Sequence, residues 1–263
     1  KKAFEASKEI FKGRFKSSKK LILEEFLEGE EASYFLVVDR NSFICLGTAQ
    51  DHKKVSENEK GLNTGGMGSY SPAPIIDKEI EKKIIKKIVK PTIKALKDNN
   101  QYYRGFLYVG LMIKNKNPYL IEYNVRMGDP ECQVIMPRIK SDILDIVYGV
   151  IENKLNKIKI KWTQQKCMTV VLCAKGYPGS YIKDMEIKNL NKSNFKYNSN
   201  VIHAGTKIKK NKIVSIGGRV LNVVSLGKDF KSIRKKIHKI LKSINWKYGF
   251  YRKDIGWRVI KWK

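Results

Sequence analysis

Residues 105–133 constrain the fold most, because an apolar run, a turn and an alternating run follow one another without a break. Residues 105–113 (GFLYVGLMI) read as a buried strand, residues 114–117 as a polar turn, and residues 118–125 as the returning arm of a hairpin. Side chains two apart in an extended chain share a face. Glu122, Asn124 and Arg126 are therefore expected on one side, with Ile121, Tyr123 and Val125 on the other. A carboxylate and an amide carbonyl are hard oxygen donors that suit Mg²⁺, which takes one or two protein carboxylates and completes its shell with water and substrate phosphates. Arg126 can grip a carboxylate or phosphate through paired N–H donors. The other reading is the solvated outer face of an edge strand. The turn Met127-Gly128-Asp129-Pro130-Glu131, which adds two acids at the end of the strand, favours a site.

Upstream, Ala3, Phe4, Ser7, Ile10, Phe11 and Phe15 fall near helical spacing, and this helix is expected to end in the polar run 16–20. Residues 21–26 (LILEEF) are expected to form a short strand, residues 32–38 a buried strand and residues 43–48 its return. Residues 50–74 hold four glycines and few apolar side chains, and connections of this length are usually lids or disordered. Gly65-Gly66-Met67-Gly68 offers backbone N–H groups and hinge freedom suited to a flap over phosphates, while His52 reads as a surface residue. Ile80, Ile84, Ile88, Val89, Ile93 and Leu96 make a helical stripe that Pro91 is expected to kink or divide. Ser141 is the expected N-cap of a helix with Asp142 in its first turn and Ile143, Leu144, Ile146, Val147, Val150 and Ile151 on its apolar face.

The pattern breaks in the Lys-rich stretch 156–166, which sets expected domains of residues 1–160 and 161–263. Beyond it lie strand-like runs at 168–174, 201–208 and 212–224, the last interrupted by Gly217-Gly218, and then a helix capped by Asp229. The expected class is mixed α/β (α+β).

Lys and Arg total 54 against 25 Asp and Glu, a formal charge of +29, which raises the question of nucleic acid or an anionic membrane. The lysines are spread through expected helices and loops alike, without exposed aromatics or a recognisable nucleic-acid module, so no nucleic-acid partner is expected. No apolar run approaches the roughly 20 residues that span a bilayer, and the charged first residues do not resemble a signal peptide. Neither membrane association nor export is expected. Cys45, Cys132, Cys167 and Cys173 lack metal or disulfide spacing and read as reduced thiols of a cytoplasmic protein.

The run LIEYNVRMGDPECQ at 120–133 is joined, in the same order along the chain, by EEFLEGEEASYF, QDHK (50–53), NTGGMGSYSPAP (63–74), GFLYVGLMI, HAGTK, GGRVL and YRKDIGWR. Together they resemble the phosphoribosylamine–glycine ligase family of ATP-grasp enzymes over nearly the whole chain. The resemblance implies a partial ATP-grasp catalytic core followed by a small β-rich C-terminal domain. It implies that ATP, glycine and 5-phosphoribosylamine react through glycyl phosphate to give glycinamide ribonucleotide, ADP and phosphate in purine biosynthesis. Mg²⁺, with Mn²⁺ as an alternative, would sit on Glu122 and Asn124, and Arg126 or Lys53 would hold the acyl phosphate. The adenine would lie against the backbone of Glu24, Glu25, Phe26 and Leu27, and the ribose hydroxyls on Glu30, since a flat base needs an apolar slot and a diol a carboxylate acceptor. Without the resemblance, Glu24 and Glu25 read as an acidic strand end.

By the same resemblance Asp51 meets a substrate amine, Gly65 and Gly66 form the flap, and Asp129 and Glu131 either meet the amine or support the groups that do. Arg219 and Arg252 are given either a phosphate contact or a structural role. The other readings are a different ATP-grasp carboxylate–amine ligase and an inactive basic binding fragment. Family members carry a Rossmann-like domain and a glycine-rich, lysine-bearing subdomain ahead of this stretch. The chain is therefore expected to be a C-terminal part, completed by the missing N-terminal domains in cis or in trans.

Overall fold

The computed structural model describes residues 2–13, 20–190 and 198–261, so Phe15 and residues 16–19 of the polar run lie outside the described residues. The first helix, α1 (Lys2–Phe11), forms but ends in a turn at 12–13, before the expected run 16–20. The strand expected at 21–26 does not: Ile22, Leu23 and Phe26 are 83%, 82% and 85% exposed, and the segment joins no ladder. A strand needs a partner edge, and a cavity of about 440 Å³ separates residues 24–27 from Tyr119 and Leu120, which line its other side.

β1 (Glu30–Val38) and β2 (Phe43–Asp51) form the expected hairpin. The stretch 50–74 is more ordered than a lid: it contains a small hairpin of β3 (Lys54–Ser56) and β4 (Lys60–Asn63), then β5 (Gly68–Ser71). Asp77 caps α2 (Lys78–Ile84) by accepting from the Ile80 N–H at 2.8 Å. The helix then runs through a π turn (Ile85–Val89) into α3 (Lys90–Asp98). Pro91, which has no N–H to donate, therefore neither breaks nor divides it; the Lys90 N–H reaches back five residues to the Ile85 carbonyl.

β6 (Gly105–Lys114) and β7 (Asn117–Asn124) make the predicted second hairpin, followed by the short α4 (Cys132–Ile135) and by α5 (Ile143–Ile151). Asp142, not Ser141, caps α5 by accepting from the Leu144 N–H, while the Ser141 hydroxyl accepts from the Lys161 N–H. The remaining strands are β8 (Lys166–Ala174), β9 (Ser199–His203), β10 (Thr206–Lys209), β11 (Lys212–Ser215) and β12 (Arg219–Gly227). Asp229 caps α6 (Phe230–Ser243) as expected, and β13 (Gly249–Phe250) and α7 (Trp257–Lys261) complete the chain.

One antiparallel sheet in the order β7-β6-β1-β2-β5-β8-β12-β9, with β13 also on β8, carries the fold. The expected boundary falls in an irregular connection, yet β5 from before it pairs with β8 from after it. On β1 both faces are packed: Ala32, Tyr34, Leu36 and Val38 meet Ile80, Ile84 and Ile88, while Phe35 and Val37 meet Ile135, Ile146 and Leu155. Burial of both faces fits the stretch 32–38, which is apolar except at Ser33. Further along the sheet, Val170, Leu172 and Val223 pack under Ile233, Ile237 and Ile240 of α6. Among the described residues no helix is long and apolar enough to cross a membrane.

Arg252 ties the end of the chain to the β3–β4 hairpin. Its side chain is 1% exposed and pairs with Asp254 and Glu59 at 2.8 Å each, while Nη1 donates to the Lys54 carbonyl at 2.9 Å. Its role is structural. Burial alone would raise the Glu59 and Asp254 carboxyls, but the hydrogen bonds from Arg252 outweigh it and hold both below the usual carboxylate range. Arg252→Met should therefore cost about 3–5 kcal/mol at neutral pH, because it strips Asp254 of its ion pair and leaves Glu59 with only the longer contact to Arg258 at 3.8 Å. Lowered folded pKa values mean that the wild-type advantage is present above the unfolded carboxylate range and is lost as pH falls through the folded values. Urea unfolding should show a gap between variant and wild type that closes on acidification; equal midpoints at neutral pH would contradict the clamp.

Candidate active site

The site is built where β7 runs out. Tyr108 pairs with Asn124 and Gly110 with Glu122, with Ile121 as the extra residue of a bulge, and β7 ends at Asn124. Gly110 leaves room for the carboxylate arm: a Cβ there would stand 3.0 Å from Glu122 Cγ and 3.0 Å from the Tyr108 ring. Arg126 lies past the strand, in the turn, with Nη1 donating to the Met127 carbonyl at 3.0 Å. The strand thus ends one residue before the expected Val125, and Arg126 falls outside it. Even so, Glu122, Asn124 and Arg126 line one cavity of about 280 Å³, which also receives Asp51, Lys53 and Glu131.

Asn124 Nδ2 lies 3.3 Å from Glu122 Oε1, so an amide and a carboxylate adjoin at the mouth of the cavity. Among the described residues no three His, Cys, Asp or Glu side chains gather as a metal cage. Two hard donors beside open space fit Mg²⁺, which brings water and phosphate oxygens of its own, better than a cation that needs an all-protein shell.

Opposite this pair, Asp51 and Glu131 face each other. Burial, then the Glu131 charge, holds the Asp51 carboxyl well above its usual range, and burial also raises Glu131. Neither forms an ion pair among the described residues. Ser33 Oγ donates to Glu131 Oε1 at 3.1 Å and stands 3.4 Å from Tyr108 Oη, whose phenol burial pushes up to about 12. Gly66 closes over these acids at φ +111, where a Cβ would lie 2.4 Å from Pro130 Cδ and 2.8 Å from both Asp51 carboxylate oxygens. Gly128 is pressed as closely, its notional Cβ 2.3 Å from Glu131 Oε2.

Lys53 enters the same cavity but its ammonium is paired with Glu31 at 3.1 Å. Burial would lower its pKa, and the Glu31 carboxylate more than reverses this. Asp129 is fully engaged: Oδ1 accepts from Gln133 Nε2 at 2.8 Å and Oδ2 from Arg219 at 2.9 Å. Gly65 lines the cavity beside Thr64.

Glu24, Glu25, Phe26 and Leu27 line a second cavity with Met112 and Tyr119. Glu30 begins β1, and its carboxylate accepts from Gln50 Nε2 at 3.3 Å, while the neighbouring Glu31 lines this second cavity and also a narrow space beside Lys53 and Glu122. Sequence reasoning missed Glu31, Ser33 and Tyr108. Glu31 follows the acidic turn residues Glu28-Gly29 at the start of β1, but Ser33 and Tyr108 interrupt apolar runs without a local signal. His52, expected at the surface, is buried: Nε2 accepts from the Gly256 N–H at 3.2 Å, and burial, with nearby Arg258, takes its pKa down to about 3. The imidazole is neutral and structural.

The family model for the phosphoribosylglycinamide synthetase ATP-grasp (A) domain matches residues 1–132, and that for the C domain of the same synthetase matches residues 167–258. Chloroplastic phosphoribosylamine–glycine ligase of Arabidopsis thaliana is 43% identical over 99% of this chain and 50% of its own length. The Rhizobium meliloti ligase is 42% identical over 98% of this chain and 61% of its own length. The chain thus spans about half to three-fifths of these relatives. The crystal structure of phosphoribosylamine–glycine ligase from Thermotoga maritima superposes with a TM-score of 0.76 at 34% identity, covering 88% of this chain and 56% of that one. The biotin carboxylase domain of Hydrogenobacter thermophilus 2-oxoglutarate carboxylase, at TM-score 0.57 and 14% identity over 82% of this chain and 45% of that one, shares the fold.

Two outcomes follow from the packing around Gly66. Gly66→Val should destabilise the chain by about 1–3 kcal/mol through φ strain alone, with more from the Asp51 contact; a thermal midpoint equal to wild type would make this an ordinary turn. The raised Asp51 and Glu131 pKa values give stability that is present below the unfolded carboxylate range and lost as pH rises through the folded values. Glu131→Gln should lower the Asp51 pKa and flatten that loss. Carboxyl ¹³C titration measures the first effect, and an unmoved Asp51 would contradict the pairing.

Proposed function

The chain belongs to the phosphoribosylglycinamide synthetase family, and on that premise we propose that it carries the reaction centre of an ATP-dependent ligase joining glycine to 5-phosphoribosylamine. The remaining length of its relatives would be supplied in cis or in trans. The observation that carries the reading is the meeting, in one cavity, of a metal-type donor pair, the Arg126 guanidinium and two acids with raised pKa values.

Each reaction step places charge where this chain holds a matching group. A glycine carboxylate oxygen takes the γ-phosphoryl group of ATP, ADP leaves, and glycyl phosphate forms. The phosphoribosylamine nitrogen then attacks the carbonyl carbon, the C–O bond to phosphate breaks, and the amide forms with loss of one proton from nitrogen. Such chemistry depends on positioning and charge stabilisation more than on covalent help from the protein. Glu122 and Asn124 would hold Mg²⁺ or Mn²⁺, which when bound neutralises the triphosphate and steadies in-line transfer.

Arg126, whose one hydrogen-bond partner among the described residues is the neighbouring Met127 carbonyl, is placed to grip the acyl phosphate. Lys53 adds positive charge from the opposite wall. Asp51 and Glu131, which form no ion pair among the described residues, suit the glycine ammonium, which would relieve their mutual repulsion. The adenine lies in the apolar cavity along residues 24–27, and the ribose hydroxyls near Glu30. With Asp129 held by Arg219 and Gln133, its part is to support the turn.

In the complete protein, Glu122→Gln should weaken Mg²⁺-ATP use while the unfolding midpoint stays near wild type; normal turnover with normal metal dependence would remove Glu122 from the site. Arg126→Lys should lower turnover by roughly 10²-fold, because a point ammonium lacks the planar fork, and leave ATP affinity near wild type. Near-normal turnover in this variant would refute the assignment.

A further inference from the structure

Arg219 opens β12 directly after Gly217-Gly218, and its guanidinium stands between two elements far away in sequence. Nη1 donates to the Gly65 carbonyl at 2.6 Å and to the Asp129 carbonyl at 2.7 Å, and Nη2 to Asp129 Oδ2 at 2.9 Å. Gly65 lies against the fork so closely that a Cβ would be 2.9 Å from Arg219 Cζ. The other polar group of Gly65 is also taken, since its N–H donates to Tyr177 Oη at 3.0 Å. Tyr177 in turn is seated on Gly218, where a Cβ would meet its ring at 2.3 Å. Both backbone groups of the flap glycine are thus held by the C-terminal part of the chain, one residue before Gly66 closes on Asp51 and Pro130.

We propose that Arg219, backed by Tyr177, is a positioning residue: it fixes the Gly65-Gly66 backbone and the Asp129 turn relative to each other, and so sets the amine end of the cavity without touching substrate. Three acceptors arranged around one planar fork explain the residue type. A lysine ammonium is a point donor on a flexible stem and cannot reproduce that fan. Within the clasp Asp129 Oδ2 is taken by Arg219, while Gln133 holds Oδ1. Its consequence for catalysis rests on the ligase reading above; its consequence for flap order does not.

The test therefore has two arms. In this chain, Arg219→Ala should speed amide hydrogen exchange at Gly65 and Gly66 by roughly ten- to a hundredfold, the worth of hydrogen bonds to a charged group, with β1 and β6 amides unchanged. Tyr177→Phe, which removes only the Gly65 acceptor, should give a smaller rise at the same place and guards against misfolding of the first variant. Unchanged exchange at Gly65 and Gly66, or a rise spread evenly through the sheet, would overturn the clasp.

In the complete protein, Arg219→Ala should raise KM for glycine by roughly tenfold or more, leave KM for ATP near wild type, and recover in part with added guanidinium. An unchanged glycine KM alongside faster exchange would overturn the positioning role. Glu122→Gln separates the two arms: under the ligase reading it removes turnover while exchange at the flap stays at the wild-type rate. A wild-type protein without ligase activity would strike that reading, and the exchange arm would still decide the clasp.

Discussion

Everything in the cavity depends on how closely the flap can approach the Gly-Asp-Pro turn with two carboxylates lodged between them. Gly66 supplies the approach, because no larger residue fits between Pro130 and the Asp51 oxygens. Gly128 supplies it on the other side against Glu131. The closeness shields Asp51 and Glu131 from water, and shielding plus mutual repulsion gives two acids held above their normal range. A site strained electrostatically in this way favours an incoming cation, and the Ser33 hydroxyl on Glu131 keeps the carboxyl aimed while it waits.

That approach is held from outside the ATP-grasp half of the chain. The sheet crosses the connection between the two family segments through the β5–β8 pairing, so the C-terminal strands are an extension of the same scaffold. From them Arg219 reaches the flap and the turn, while Arg252, on the segment after β13, reaches the small hairpin that precedes the flap. The two arginines differ in setting. Arg252 is buried and compensated by two carboxylates, whereas Arg219 shares its charge between one carboxylate and two carbonyls.

What could be read from the sequence was what repeats locally. The β6–β7 hairpin follows from an apolar run, a turn and an alternating run, and the metal-type pair from residues two apart on it. The mostly apolar stretch 32–38 read as a buried strand, and it is one. Residues 21–26 misled because apolarity alone does not supply a partner edge. The β3–β4 hairpin was hidden by its short strands, with few apolar residues, and by a turn that places Asn58 and Glu59 at positive φ. Contacts spanning 98 residues from Ser33 to Glu131, or 90 from Asp129 to Arg219, leave no periodic trace. His52 was misjudged for the same reason, since its partner Gly256 lies 204 residues on.

The strong positive charge of the chain is not concentrated at the cavity, whose walls carry Asp51, Glu122, Asp129 and Glu131 as well as Lys53 and Arg126. A balanced wall suits substrates that are themselves both anionic and cationic. The central claim is that this cavity activates a carboxylate as its acyl phosphate and delivers it to an amine. Reaction of the complete protein with ATP, 5-phosphoribosylamine and glycine labelled with ¹⁸O in its carboxylate tests it most directly. The account predicts that one labelled oxygen appears in the released phosphate for each amide formed; phosphate free of label, with amide produced, would contradict it.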